Sequence, residues 1–386
     1  MLDKNKLILK LNEFVPKYFF NINQEVELAR QYFDWLREHQ DQIRLILSQE
    51  AKYTMPDYIN NIDQVKDLNL DNKFLLYTVI SVDGSQIYPD RHYGISCFLL
   101  NLGLVQINYL DPVSQVNFSS VPYLYKEIQN TEHLSQEIIN CKRNELEIQK
   151  CLELSINAKN YSKNIIALLD GTLIFSHLDS KDIKIRDYFL SRYIKVLDEF
   201  YQKRIPVFGF ISFTKSKDIV NIIKNGILLS IIPDLSYDYL HSSLDNNLTE
   251  KNLLDNVVDS DLMDHILKPF CRSNIFLSNT KILNYYPDHL KINFCYINIE
   301  SEIIRVEFPS WLSQDLEYLD SLLKLIIDQC KKGQGYPVAL SEAHEQAVVK
   351  SIDREFFFQM IQKISLTNKN SLKMSKKSLK KKFVSI

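Results

Sequence analysis

Residues 74 to 86 read Phe-Leu-Leu-Tyr-Thr-Val-Ile-Ser-Val-Asp-Gly-Ser-Gln, an apolar run that ends in an acid. β-Branched, aromatic and aliphatic residues broken only by Thr78 and Ser81 predict a buried strand over 74–82, closed by Gly84. An acidic side chain at the rim of a hydrophobic sheet costs desolvation free energy unless a cation or hydrogen-bond donors meet it. The pattern recurs at Asn164-Ile-Ile-Ala-Leu-Leu-Asp-Gly-Thr172, where an apolar run ends in Asp170. A single Asp-Gly is ordinary turn chemistry, with Asp bonding its own backbone and Gly taking positive φ. Two of them, each at a strand end and each followed by a hydroxyl residue, point instead to paired carboxylates that hold Mg²⁺ or Mn²⁺, which prefer hard oxygen ligands.

Outward from this stretch the chain alternates. Val26, Leu28, Ala29, Tyr32, Phe33, Trp35 and Leu36 recur at helical spacing within a helical opening over 1–50, and 51–72 is polar and irregular. After Gln86 a turn-rich loop carries Arg91 and His92, and residues 94–109 predict two strands around Asn101-Leu-Gly103. Helix is expected over about 122–160 and 181–203, strand over 164–169 and 205–213, and a further helix from Lys217 to Lys224. Three strands, helix, strand, helix, strand, helix is the order of an RNase H-like α/β domain. We therefore expect a mixed sheet flanked by helices, with a helical N-terminal extension and insertions, by analogy of order. That fold carries its acids on the first strand, the following helix and the fourth strand.

Asp234, Asp238, Asp245, Asp255, Asp259, Asp261 and Asp264 make the stretch around 230–290 read as a solvated acidic insert. Strands are expected over 292–299 and 303–308, and a helix over 310–330 that Lys331-Lys-Gly333 terminates. Next comes Gly335-Tyr-Pro-Val-Ala-Leu-Ser-Glu-Ala-His-Glu345, in which Ser341 suits an N-cap and places His344 in the first helical turn. The domain reading is a helical extension over 1–72, a catalytic domain over 73–362 and a lysine-rich, disordered tail over 363–386.

With 45% hydrophobic and 24% charged residues the chain is of ordinary globular composition, and its net charge of −2 means that any anion-binding surface is local. Its six cysteines lack Cys-x-x-Cys spacing, so free thiols are expected rather than a zinc site or disulfides. No apolar run approaches the roughly 18 residues that span a bilayer, and the first residues lack a signal-peptide core, so a cytoplasmic location without membrane contact is expected.

Taken together, Val82-Asp-Gly-Ser-Gln86, Leu168-Leu-Asp-Gly-Thr-Leu173 and the Gly335–Glu345 stretch resemble the NurA nuclease family over about residues 74–361. The resemblance implies an RNase H-like core and a manganese-dependent DNA nuclease of the 5′–3′ exonuclease and single-strand endonuclease type. It further implies a homodimer that works with a HerA-type hexameric translocase in DNA end resection. Asp83 and Asp170 match the family's metal-binding aspartates, His344 its C-terminal catalytic histidine and Tyr336 the preceding tyrosine. The family's helix glutamate matches Glu147, in Arg143-Asn-Glu-Leu-Glu147, or Glu153. Six helical residues are about 600° of rotation, so the two cannot both face one metal.

Such carboxylates suit a two-metal phosphodiester hydrolysis with Mn²⁺, or Mg²⁺, and an imidazole from His344 favours Mn²⁺. Arg91, His92 and Arg354 are candidate phosphate contacts, or else ordinary surface ion pairs. Tyr88, Tyr93 and Tyr336 are candidates for stacking on unpaired bases. Seven lysines and no acid within 364–386, Lys377 and Lys381 among them, suit DNA phosphate, with a solubilising tail as the alternative. Two other classes fit parts of the pattern: an actin-like phosphate-loop ATPase or kinase, and a catalytically inert adaptor of a DNA translocase.

Overall fold

The structure, a computed structural model, describes residues 2–50, 52–58, 61–69, 76–90, 97–110, 113–126, 136–160, 162, 164–233 and 253–367. Its helices are α1 (Lys4–Glu38), α2 (Gln40–Leu47), α3 (Gln136–Ala158), α4 (Ile183–Gln202), α5 (Asp218–Leu228), α6 (Asp259–Ile266), α7 (Leu316–Lys332), α8 (Val338–Ala347) and α9 (Ser351–Thr367). The main strands are β3 (Tyr77–Ile87), β4 (Cys97–Tyr109), β5 (Gln115–Lys126), β6 (Ile165–Asp170), β7 (Val207–Ile211), β10 (Ile292–Asn298) and β11 (Ile303–Pro309). Two-residue strands β1 (Asp57–Tyr58), β2 (Lys66–Asp67), β8 (Cys271–Arg272) and β9 (Phe276–Leu277) complete the set. None of the described helices is long and apolar enough to cross a membrane. The chain forms two compact units, one of residues 72–170, 180–208 and 328–386, the other of residues 1–71, 171–179 and 209–327.

The first unit is organised around β3. It pairs antiparallel with β4 along its whole length, Tyr77 opposite Tyr109 through Ile87 opposite Leu99, and β4 pairs antiparallel with β5. On its other side β3 runs parallel to β6 over Thr78–Ser81 and Ile165–Leu168 alone. Helix α3 is the crossover from β5 to β6, and α4 leads from β6 to β7, which is next in the strand order β5-β4-β3-β6-β7. Three antiparallel strands followed by parallel ones joined through helices make a mixed α/β, RNase H-like sheet.

Four local expectations are corrected. Gly84 does not end the first strand, because β4 supplies a partner for every residue to Ile87 and leaves Asp83 inside the ladder, opposite Gly103. Residues 97–109 form one strand, not two, since Gly103 accommodates a helix rather than a turn. The third strand is β5, part of which was expected to be helical. It is an edge strand exposed along most of its length, so it carries no buried alternation to read. Helix α8 starts at Val338 after Pro337, whose carbonyl accepts from Leu340 and Ser341, so His344 falls in the last turn rather than the first.

In the second unit β10 and β11 pair antiparallel, and β11 pairs with Gly209–Ile211 of β7. The helical N-terminal segment packs here: Leu28, Tyr32, Phe33 and Leu36 of α1 join Ile43 and Ile46 of α2, Ile219, Ile222 and Ile223 of α5, and Phe294 and Tyr296 of β10 in one core. The acidic stretch is not uniformly solvated. Asp259 is fully buried and accepts hydrogen bonds from the Ile219 and Val220 amides, both at 2.9 Å, and from the Tyr296 hydroxyl at 2.6 Å. Asp234, Asp238 and Asp245 lie outside the described residues.

Gly103 has a specific duty, because a β-carbon there would sit 2.1 Å from the Ala343 carbonyl oxygen of α8. Backbone cannot yield as a flexible side chain does. We predict that Gly103→Ala destabilises the protein by about 1–3 kcal/mol, as overpacking does, measured as a lower urea midpoint at unchanged slope.

Candidate active site

Pairing between β3 and β6 stops at Ser81 and Leu168, and two residues further along each strand stand Asp83 and Asp170. Both acids therefore stand just past the last β3–β6 pair, Asp170 at the end of β6 and Asp83 within β3, which stays paired with β4 alone from there to Ile87. Gly171 follows Asp170 at φ 102°, a conformation that favours glycine and turns the chain away. Asp83 Oδ1 accepts from the Gly84 amide at 2.8 Å, and its Oδ2 lies 2.9 Å from His344 Nδ1. The hydroxyl of Tyr336 donates to the Asp170 carboxylate.

Glu147 enters from α3. A β-carbon on residue 84 would lie 2.6 Å from Glu147 Oε1 and 2.8 Å from Arg143 Cγ, so glycine there is what lets α3 lie this close to β3. The Glu147 side chain is only 17% exposed and is ion-paired with Arg143 Nε at 3.1 Å, yet its Oε1 makes no hydrogen bond among the described residues. Glu153, by contrast, is 58% exposed and pairs with Lys150 at 2.5 Å, in a groove between α3 and α4 that Arg192, Lys195 and Glu199 also line. Helical rotation thus brings Glu147, not Glu153, to the two aspartates.

Among the other candidates, Arg354 pairs with Asp90 at 3.4 Å with over half of its side chain exposed, and Tyr88 donates to Asn140 Oδ1 at 2.7 Å. Arg91, His92, Tyr93, Lys377 and Lys381 lie outside the described residues. Arg143 has a place at the site that the sequence reading did not give it: besides Glu147, it donates to Gln86 Oε1 at 3.0 Å. Its signal was the Arg-x-x-x-Glu spacing, which sets two side chains on one helical face.

The electrostatics follow from burial and like charge. Burial, with the Asp83 and Asp170 carboxylates nearby, pushes Glu147 up to about 8 against the opposing pull of Arg143. Asp170 is also raised, by burial first and by Asp83 in addition, while Tyr336 and His344 pull it back. Burial and the neighbouring Asp170 raise Tyr336 as well, so it stays a neutral phenol and a donor.

Among the described residues no three His, Cys, Asp or Glu side chains are gathered in ligating geometry, and Arg143, His344 and Tyr336 each engage one carboxylate. The residues nonetheless fit a cation: oxygen donors from three elements, one imidazole, and a buried carboxylate oxygen without a hydrogen bond make a donor set suited to Mn²⁺.

The model of the NurA domain family matches residues 77–349, well over half of the chain, and within that span lie all five of these residues. The chain belongs to the NurA family. Among solved structures it is similar to a NurA crystal structure at 14% identity, covering 91% of this chain and 97% of that one with a TM-score of 0.39. A NurA bound to dAMP and manganese matches at 16% identity over 91% and 94% of the two chains, TM-score 0.36. A Ciona intestinalis endonuclease V in complex with inosine-containing DNA matches at 12% identity over 86% and 98%, TM-score 0.30. No curated protein matches significantly.

The raised Glu147 gives a pH signature for this NurA-family site. A carboxyl whose folded pKa exceeds its ordinary value contributes stability that is complete below that value, 4.5, and is lost as pH rises through about 8. Glu147→Gln should therefore match the wild type in Tm near pH 4 and exceed it at pH 8.5 without divalent metal. Equal Tm values at both pH values in differential scanning calorimetry would remove the buried-acid assignment.

Proposed function

We propose that this NurA-family chain is a manganese-dependent DNA nuclease, of the 5′–3′ exonuclease and single-strand endonuclease type, that hydrolyses phosphodiester bonds. The observation that carries this reading is the meeting of Asp83, Glu147 and Asp170 from β3, α3 and β6, with Tyr336 and His344 against them. The three carboxylates would hold the metal, with Mg²⁺ as a weaker substitute. Metal held there would supply the acidity for a nucleophilic water and the charge to neutralise the leaving oxygen.

The chain's own residues do the rest. Donation from His344 Nδ1 to Asp83 fixes the ring and leaves Nε2 to take or deliver a proton at the reacting phosphate. Tyr336 holds the Asp170 carboxylate in place through its phenolic hydrogen. Arg143 neutralises Glu147 until the carboxylate is needed as a ligand. Arg354 contacts DNA phosphate in this reading, together with Arg91, His92, Lys377 and Lys381, and a HerA-type translocase feeds the DNA to a homodimer. A phosphate-loop ATPase draws no support, because Asp83-Gly84-Ser85 pairs residue by residue with Gly103-Leu102-Asn101 instead of forming a loop of open amides.

The test is degradation of end-labelled single-stranded DNA with Mn²⁺, Mg²⁺ or EDTA. Cleavage should require the metal. Asp83→Asn, Glu147→Gln and Asp170→Asn should each lower it by on the order of 10²-fold or more, His344→Ala by roughly 10²–10⁴-fold, and Glu153→Gln hardly at all. Folded Asp83→Asn protein that still cleaves at the wild-type rate would overturn the reading, and a folded wild type inert with every metal would favour an adaptor role.

A further inference from the structure

We propose that Gln329 is a positioning residue: it caps the buried end of α8 and so sets where Tyr336 and His344 stand. This rests on the nuclease reading for its consequence, though not for its geometry. Gln329 lies near the end of α7 and is completely buried. Its Nε2 donates to the hydroxyls of Tyr77, at 2.8 Å, and Tyr109, at 2.9 Å, while its Oε1 accepts from the Ala339 amide at 3.1 Å. Both amide hydrogens and the amide oxygen are engaged, so the side chain has one satisfied orientation.

Each partner marks an end of an element that matters. Tyr77 opens β3 and Tyr109 closes β4; they are paired across the ladder, and Tyr77 donates onward to Asp328 Oδ2 at 2.5 Å. Ala339 is the second residue of α8, and its amide is one of those that no carbonyl of its own helix can reach. Pro337, at the N-cap, offers no side-chain acceptor, so Gln329 supplies one from another helix. The opposite end is held as firmly. Ser85 Oγ and Asn101 Nδ2 donate to the Ala347 carbonyl at 2.5 and 2.9 Å, and Gly103 lies against the helix between the two clamps.

Helix α8 has ten residues, too few to hold a position through its own cooperativity. Its seat is therefore set by tertiary contacts, the two end clamps together with the buried face of Ala339, Leu340, Ala343 and Ala347. Tyr336 immediately precedes the capped end, and His344 is in the last turn, so loosening the Gln329 clamp displaces both groups relative to Asp170 and Asp83. Gln329 meets Tyr77, Tyr109 and Ala339, none of which is among the five residues at the carboxylate cluster, so it acts through α8.

The experiment compares Gln329→Met, which keeps volume and removes every hydrogen bond, with Gln329→Glu, which keeps an oxygen for the Ala339 amide. Amide hydrogen exchange is read on peptides of α8 and α3 in the metal-free protein, and kcat and KM are read for Mn²⁺-dependent DNA cleavage. We expect Gln329→Met to exchange α8 amides roughly tenfold faster, the loss of about one hydrogen bond, with α3 unchanged. Its kcat should fall on the order of 10²-fold at unchanged KM, the scale of a small misplacement of reacting groups. Gln329→Glu should restore α8 protection and most of kcat.

Native exchange and native kcat in Gln329→Met would overturn the proposal. So would faster exchange spread equally over α3 and α8 that Gln329→Glu leaves unrelieved, which is the behaviour of an ordinary core residue. If Gln329→Met does not fold, Gln329→Glu compared with wild type decides: native α8 exchange upholds the clamp, and lost α8 protection in a folded protein overturns it. A wild type without nuclease activity would sink the proposed function while the exchange arm still tests the clamp.

Discussion

Burial of like charge where the pairing of β3 with β6 stops is the constraint on which the first unit depends. Asp83 raises the proton affinity of both Glu147 and Asp170, and Asp170 that of Glu147, which is the most deeply buried of the three. The fold keeps them there by small, specific means. Pairing between β3 and β6 ends two residues early, so the aspartates project beyond it. Residue 84 has no side chain, so α3 can deliver Glu147. Arg143, His344 and Tyr336 each engage one carboxylate.

The other unit holds a second cluster of buried acids, and its partners are of another kind. Buried Arg305 donates to Asp218 at 2.6 Å and to Glu307 at 2.9 Å, and Glu307 accepts from the Thr172 hydroxyl and the Leu173 amide at 2.7 and 2.9 Å. Asp218 and Glu307 share this buried cation, and Glu307 has two further donors, as a burial this deep requires. Glu147 differs from both: it has the single ion pair with Arg143, and its Oε1 makes no hydrogen bond among the described residues.

What could be read from the sequence was identity more than position. Asp170 was legible because a strand does end there, and Asp83 because an acid in an apolar run is costly wherever it sits. Its setting was misread because a glycine was taken for a strand end, when its missing side chain makes room for α3; Gly103 makes room for α8 in the same way. The β5 strand was hidden by exposure, which erases alternation. The choice between Glu147 and Glu153 depended on which face α3 turns inward, and spacing alone leaves that open. Gln329 was least legible, since two of its three partners lie 220 and 252 residues away in the chain, while the spacing of Arg143 showed its pairing with Glu147 but not its contact with Gln86, 57 residues away.

The central claim is that three carboxylates from β3, α3 and β6 form one cation site. Anomalous X-ray scattering at the manganese edge, from crystals grown with Mn²⁺, tests it most directly. The account predicts density bounded by Asp83, Glu147 and Asp170, with Arg143 displaced from Glu147. Manganese bound instead at the Glu153 face of α3, or well-ordered crystals in which those three carboxylates bind no manganese at saturating concentration, would contradict it.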